Sequence, residues 1–449
     1  MFTRYARRCT LLSVVAFGLG NNAAESAAAD CCKPTRKQYY CIIMEQVKTQ
    51  RYIALDVLRG MTVAGMITVN NPGSWAHVFP PLRHALWAGC TPTDLVFPFF
   101  LFVVGAAMAF SFAKYNESLS GKSVRKLIKR GLLIILVGLA LNAFPFYPLN
   151  PNPVLSCHEN YMNYLQHIRL FGVLIRIGFC YMVGGMLALW LKEPKKIIPA
   201  MALLIAAEWI ILAITGDASS PMVNGAKGIF SAAGQGSGMI DIKVVGESHV
   251  YHGEGFPFDP EGLLGILTGS CTVLLGFMIG NLVRKAQDKI KVVTQLYTIG
   301  LICLALGLII SIWQPIIKAL WTGSYVLYAG GWAIIMLAFF IYFIDVKGKV
   351  KAFTPFRALG MNPLFAFVMA AFFVKILGMM IHWTSVTTLT SGAVGPRNFS
   401  VLTWFYQYVC VGLIGKSNEI SSLLFALCYV AVFTAMAYWL YKKHIVIKL

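Results

Sequence analysis

The sequence predicts an all-α polytopic membrane protein. Of its 449 residues 58% are hydrophobic and only 12% charged, with a mean hydropathy of +0.69, outside the range of soluble globular domains. The apolar residues also fall in runs of about 20, the length that crosses the hydrocarbon of a bilayer.

Ten stretches qualify as spans, near 53–71, 92–113, 131–146, 170–191, 197–215, 263–283, 292–313, 323–344, 359–382 and 420–441. A shorter stretch at 398–414, aromatic and in places polar, reads as interfacial or re-entrant. Charge sets the count. Segments 33–51, 114–130, 192–196, 284–291, 347–357 and 442–448 carry 25 Lys and Arg, whereas the alternate segments 72–91, 147–169, 216–262, 314–322 and 383–419 carry 7. That bias puts both ends of the spanned region in the cytoplasm and requires an even number of spans. It also accounts for the net charge of +20 without nucleic acid as a partner. The lipid bilayer is the expected partner instead.

Residues 44–449 read as one membrane domain, with no repeat and no Gly/Ser-rich or Pro-rich linker. Residues 1–29 resemble a secretory signal, with Arg4, Arg7 and Arg8 ahead of an apolar core. Cleavage there would strand the basic run Lys33 to Arg51 on the wrong side. The preferred reading starts the protein at Met44 and leaves 1–43 as an extension outside the fold.

Seven of the eight His lie on the cation-poor side or at its edge, with Asp217, Asp241, Glu247, Glu254, Asp259 and Glu261. Imidazole and carboxylate together suit proton transfer and recognition of a polar ligand. The bland reading of most of them is a solvated loop surface. His84 stands apart in RHALWAGCTPTDLVFPFF, where Trp87 and the Gly89 backbone shape the entry to a span and Asp94 heads it. A carboxylate in that position is costly unless an imidazole or a helix N-terminus partners it. His249 and His252 have H-x-x-H spacing without an evident third ligand, so no metal is expected. Cys90 and Cys157 could pair across the outer side, Lys375 and Glu208 lie within spans, and Trp313, Trp321, Trp383 and Trp404 read as interface anchors.

RYIALDVLRGMTVAGMITVNNPG followed by RHALWAGCTPTDLVFPFFLFVVG resembles the opening of the heparan-α-glucosaminide N-acetyltransferase family of transmembrane acyltransferases. FGVLIRIGFCY, HVYHGEGFPFDPEGLLG, LWTGSYVLYAGGW with its trailing IDVKG, and GMNPLFAF continue the resemblance to roughly 51–449. It implies the shorter bacterial form, in the bacterial cytoplasmic membrane, because lysosomal relatives carry a luminal domain and a further span ahead of this region. It assigns the catalytic imidazole to His84 and polar support to Asn70 and Asp94. Acetyl-CoA is the implied co-substrate, with Asp56, Arg59 and Arg176 on its path. Asp241, His249, Asp259, Glu261 and Asn362 are then expected at the acceptor, an amino sugar such as glucosamine, and two copies of the chain could form a homodimer. Asp241 departs from the family pattern, being followed by Ile242 and Lys243 rather than Arg. Two alternatives stay open from the sequence. One is a sugar or amino-sugar transporter, the other an O-acetyltransferase acting on a surface polysaccharide.

Overall fold

The computed structural model describes residues 52–113, 119–149, 151–388 and 394–447. The expectations for residues 1–43 and for a start at Met44 lie outside them.

In chain order the long helices are α1 (Ile53–Asn70), α2 (Pro92–Ala113) and α3 (Gly121–Ala143). A short α4 (Cys157–Gln166) precedes α5 (Val173–Leu191) and α6 (Pro194–Thr215), and a short α7 (Ser237–Val245) precedes α8 (Gly265–Lys285) and α9 (Lys289–Ile310). Then follow α10 (Gly323–Val346), α11 (Thr354–Met361), α12 (Pro363–Met380), α13 (Val401–Ile414) and α14 (Glu419–Lys442). Nine of these described helices are long and apolar enough to cross a membrane, namely α1, α2, α5, α6, α8, α9, α10, α12 and α14. The chain is an all-α polytopic membrane protein.

The third expected span, 131–146, falls in the second half of α3. Ser120 and Ser123 cap that helix reciprocally, so it begins at Gly121 and carries five cations into its first ten residues. The ninth expected span divides into α11 and α12. Pro363 disfavours helical backbone at the preceding residue, and Asn362 accordingly leaves it at φ −129°. At 398–414 the sequence anticipated a single apolar segment. An antiparallel hairpin, β1 (His382–Thr388) with β2 (Val394–Ser400), instead leads into the short helix α13.

The core is built around α8, the most buried of the spanning helices, crossing α2 at backbone contact. A Cβ on Gly276 would lie 2.0 Å from the Phe102 carbonyl, and one on Gly105 1.9 Å from that of Val273. In lipid, where no hydrophobic gain separates a helix neighbour from a lipid tail, such close approach through small residues is what holds helices together.

The connections segregate by end. At one end Ala88 N–H donates to Asn224, Gly89 N–H to Ile316 and Leu170 N–H to His249, gathering four loops around the start of α2. At the other end the Asp345 carboxylate, from the IDVKG motif, accepts the Ile53 and Ala54 N–H groups at 3.3 and 3.2 Å. It thus satisfies orphan donors at the start of α1. Gly276→Val should therefore lower the thermal midpoint of the detergent-solubilised protein by several degrees, in line with overpacking costs of about 1–3 kcal/mol. Gly412→Ala, which meets no neighbour within 4 Å, should leave it unchanged.

Candidate active site

Asp94 organises the end of the bundle that carries His84. Pro92 and Asp94 open α2 after Thr91. One Asp94 oxygen, Oδ2, accepts the Thr91 N–H, the Thr91 hydroxyl and the Ala85 N–H, each at 3.0 Å. The T-x-x-D spacing is therefore a capping arrangement. The other oxygen, Oδ1, lies 2.6 Å from His84 Nδ1. Both partners anticipated for this carboxylate, imidazole and helix N-terminus, are present at once. With Nδ1–H donating to Asp94, Nε2 is left as the basic nitrogen. Asp94 is 1% exposed while the imidazole stays half open, and Tyr325 O–H donates to the Asp94 carbonyl at 2.5 Å.

The imidazole opens on a cavity of about 260 Å³ between the starts of α2, α5 and α8. Trp87, Arg169, Arg176, Glu254, Glu261, Lys318 and Trp321 also line it. Trp87 is fixed by its indole N–H to the Phe230 carbonyl at 2.8 Å. Arg169 forks onto Asp259, at 2.8 and 2.7 Å, and reaches Glu261 at 2.5 Å. Burial opposes the charge on Arg169, but the two carboxylates outweigh it and hold the guanidinium above its usual pKa. Burial and the Asp94 charge push the Cys90 thiol up to about 12, Lys318 opposing, which keeps it from serving as a thiolate nucleophile.

Several expected site residues support this cavity from outside it. The His249 Nδ1–H donates to the Ile168 carbonyl at 2.7 Å and so fixes the segment carrying Arg169. Asp241 is 1% exposed and accepts the Leu263 N–H at 2.9 Å, with its second oxygen buried and unpartnered. Burial is the main cause that lifts its pKa to about 7. Arg176, expected along the donor path, instead lies at this end. It is 2% exposed, donates to the Gly262 carbonyl at 3.1 Å and faces the Trp321 ring at 5.2 Å. Asn70 is exposed at the end of α1 and is not among the residues lining the cavity.

A second cavity, of about 520 Å³, reaches toward the opposite end between α1, α2, α3, α5 and the C-terminal tail. Arg59, Lys126, Lys129 and Arg130 supply its charge, and Phe100, Val104, Ile177 and Tyr181 its walls. Arg59 Nη1 is 3.5 Å from Asp56 and donates to the Gly360 carbonyl at 3.2 Å. Asn362, expected at the acceptor, belongs to this end. Its amide donates to the Ile445 carbonyl at 3.0 Å and accepts the Ile447 N–H at 2.8 Å, fixing the tail residues that wall the cavity. The two cavities are lined by neighbouring residues of α5, Arg176 for one and Ile177 for the other.

Sequence reasoning passed over Arg169 and Lys318 and misplaced Trp321. Trp321 was read as an interface anchor, yet it is 1% exposed and donates to Thr272 Oγ1 at 3.1 Å. Arg169 and Lys318 carried a usable signal, since each is the sole cation of its segment, 147–169 and 314–322, on the side from which cations are depleted. Lys375 explains itself structurally by donating to the Leu141, Asn142 and Phe144 carbonyls near the end of α3.

Residues 51–231 match the model of the heparan-alpha-glucosaminide N-acetyltransferase catalytic family, a stretch holding His84, Asp94, Arg169 and Arg176. The human heparan-alpha-glucosaminide N-acetyltransferase is 28% identical over 363 residues, covering 71% of this chain and 52% of the human protein. The mouse protein of the same name is 27% identical over 365 residues, covering 71% of this chain and 53% of its own length. The chain thus spans about half the length of the curated relatives it matches. The matched stretch brings one buried carboxylate and its imidazole together, and over 51–231 the chain is similar to the heparan-alpha-glucosaminide N-acetyltransferase catalytic family.

Proposed function

We propose that this chain moves an acetyl group from acetyl-CoA, entering from the cytoplasmic side, to the amine of a glucosamine-type sugar on the opposite side. The observation that carries this reading is the pair of cavities lined by the neighbouring α5 residues Arg176 and Ile177, the first built around His84 and the second basic. The phosphates of CoA call for cations, and Arg59, Lys126, Lys129 and Arg130 line the cavity at the cation-rich end. Its apolar wall from Phe100 to Ser111 follows α2 for about 17 Å at 1.5 Å per residue, a route for a flexible thioester arm. An amine attacks a thioester only when neutral, and the free Nε2 of His84 is the base that takes the proton its nitrogen releases on attack. Glu254 and Glu261 line the same cavity and suit an acceptor that arrives as an ammonium bearing hydroxyls.

The test is to incubate the purified protein with labelled acetyl-CoA, with and without glucosamine. Labelled N-acetyl product supports the reading, whereas sugar movement into liposomes without CoA consumption would replace it with transport. His84→Ala should keep the protein folded and able to bind CoA while lowering turnover by about two to four orders of magnitude, the range for a lost general base. Retention of more than a tenth of wild-type turnover would remove His84 from the chemistry. Lys129→Glu should raise the Michaelis constant for acetyl-CoA about tenfold or more, a factor equivalent to 1.4 kcal/mol, with little change for the sugar. The reverse pattern would move the donor out of the basic cavity.

A further inference from the structure

The turn between α9 and α10 carries a cation to the face of the catalytic imidazole. Lys318 Nζ lies 3.0 Å from His84 Nδ1, 3.5 Å from Nε2 and 3.4 Å from Asp94 Oδ1. Nothing about that placement is loose. Gln314 donates to Glu208 at 3.0 Å, both side chains fully buried. The Ile316 carbonyl accepts the Gly89 N–H at 2.8 Å, and the Lys318 carbonyl accepts the Trp321 N–H at 3.0 Å. Trp321 is held at φ +58°, a conformation that is strained for a bulky residue and persists where the surroundings over-determine it.

A simple ion pair with Asp94 does not account for the geometry. Asp94 already has His84, Ala85 and the Thr91 N–H and hydroxyl as partners, and Lys318 approaches the ring more closely than the carboxylate. The other two cations lining the cavity have their charge directed elsewhere. Arg169 is neutralised by Asp259 and Glu261, and Arg176 is turned to the Gly262 carbonyl and the Trp321 ring. Lys318 is therefore the cation among the described lining residues that stands where negative charge would develop beside His84.

We propose that Lys318 is a catalytic residue, its ammonium stabilising the oxyanion that forms on the acetyl group during transfer. This rests on the acetyltransferase reading and deepens it. In the step, the lone pair of the acceptor amine forms a C–N bond to the thioester carbon, and the carbonyl π pair moves to oxygen. His84 Nε2 takes the proton released from nitrogen. The oxygen pair then re-forms C=O as the C–S bond breaks, and the departing thiolate receives the proton from His84, giving an N-acetyl amine and free CoA. With Lys318 Nζ 3.5 Å from Nε2, a reacting group placed on the Lys318 side of the ring meets both Nε2 and the ammonium. A fixed cation that meets the charge only in the transition state raises turnover rather than affinity. The polar support expected of Asn70, which does not line this cavity, thereby passes to Lys318.

The experiment compares wild type, Lys318→Met, Lys318→Arg and His84→Ala in labelled acetyl transfer from acetyl-CoA to glucosamine, with thermal midpoints measured alongside. Lys318→Met should lose about 10²–10³-fold in kcat, the usual cost of an oxyanion donor, with both Michaelis constants near wild type. Lys318→Arg, which keeps the charge but not its point position, should fall between the two. Should Lys318→Met fail to fold, Lys318→Gln is read in the same way. Lys318→Met turnover above a tenth of wild type, in a preparation where His84→Ala is inactive, overturns the proposal and leaves the acetyltransferase reading standing. Loss expressed as a raised Michaelis constant for the sugar also overturns it, by making Lys318 an acceptor contact. Absence of transfer by wild type overturns the acetyltransferase reading and this proposal with it.

Discussion

A buried carboxylate with its two oxygens committed to different tasks holds this molecule's working end together. Asp94 Oδ2 closes the N-terminus of α2 through Thr91 and Ala85, and Oδ1 faces His84 and Lys318. An ionised carboxylate at the head of a membrane helix is tolerable only when its lone pairs are satisfied and the positive end of the helix dipole lies beside it. The same requirement fixes the imidazole. Because the cap anchors the carboxylate to the helix, and the ring is anchored to the carboxylate, the position of His84 follows from the folding of α2 rather than from a loop's own preference.

Similar logic governs the rest of the cavity. Both of its guanidinium groups are answered by partners placed by another element. Arg169, ahead of α5, forks onto Asp259 and Glu261, ahead of α8. Arg176 in α5 meets a backbone carbonyl of that same segment. Removing one partner from such a set leaves an uncompensated buried charge, so these ion pairs also register the two helices against each other. The short approach of α2 to α8 through Gly105 and Gly276 supplies the rigid frame against which that registration works.

The charge asymmetry of the sequence has a second consequence besides orientation. Depleting cations from one side leaves the few that remain there with little competition for carboxylates, and Arg169 and Lys318 both found them. At the cation-rich end the surplus lines a cavity, with Arg130 stacked over Tyr181 at 5.3 Å. The tail that closes it is held by the amide of Asn362. One compositional bias therefore serves both ends of the bundle in different ways.

The sequence by itself determined the fold class, most of the spans and the pairing of an imidazole with its carboxylate. Span length and charge placement are local, and bilayer thickness is a constraint every residue in a span meets alone. The pairing of His84 with Asp94 was legible because ten residues separate them and a carboxylate at that spot needs a partner. What only the tertiary structure decided depends on contacts far apart in the chain. Lys318 lies 234 residues from His84, and Arg169 lies 90 from Asp259, so no periodicity or spacing connects them. Arg176 and Asn362 went to opposite ends from those expected because each residue's depth is set by where its helix starts, not by the motif that contains it. The hairpin of β1 and β2 was missed for a related reason, since its strands are stabilised by each other's backbone and neither carries a helical or spanning pattern of its own.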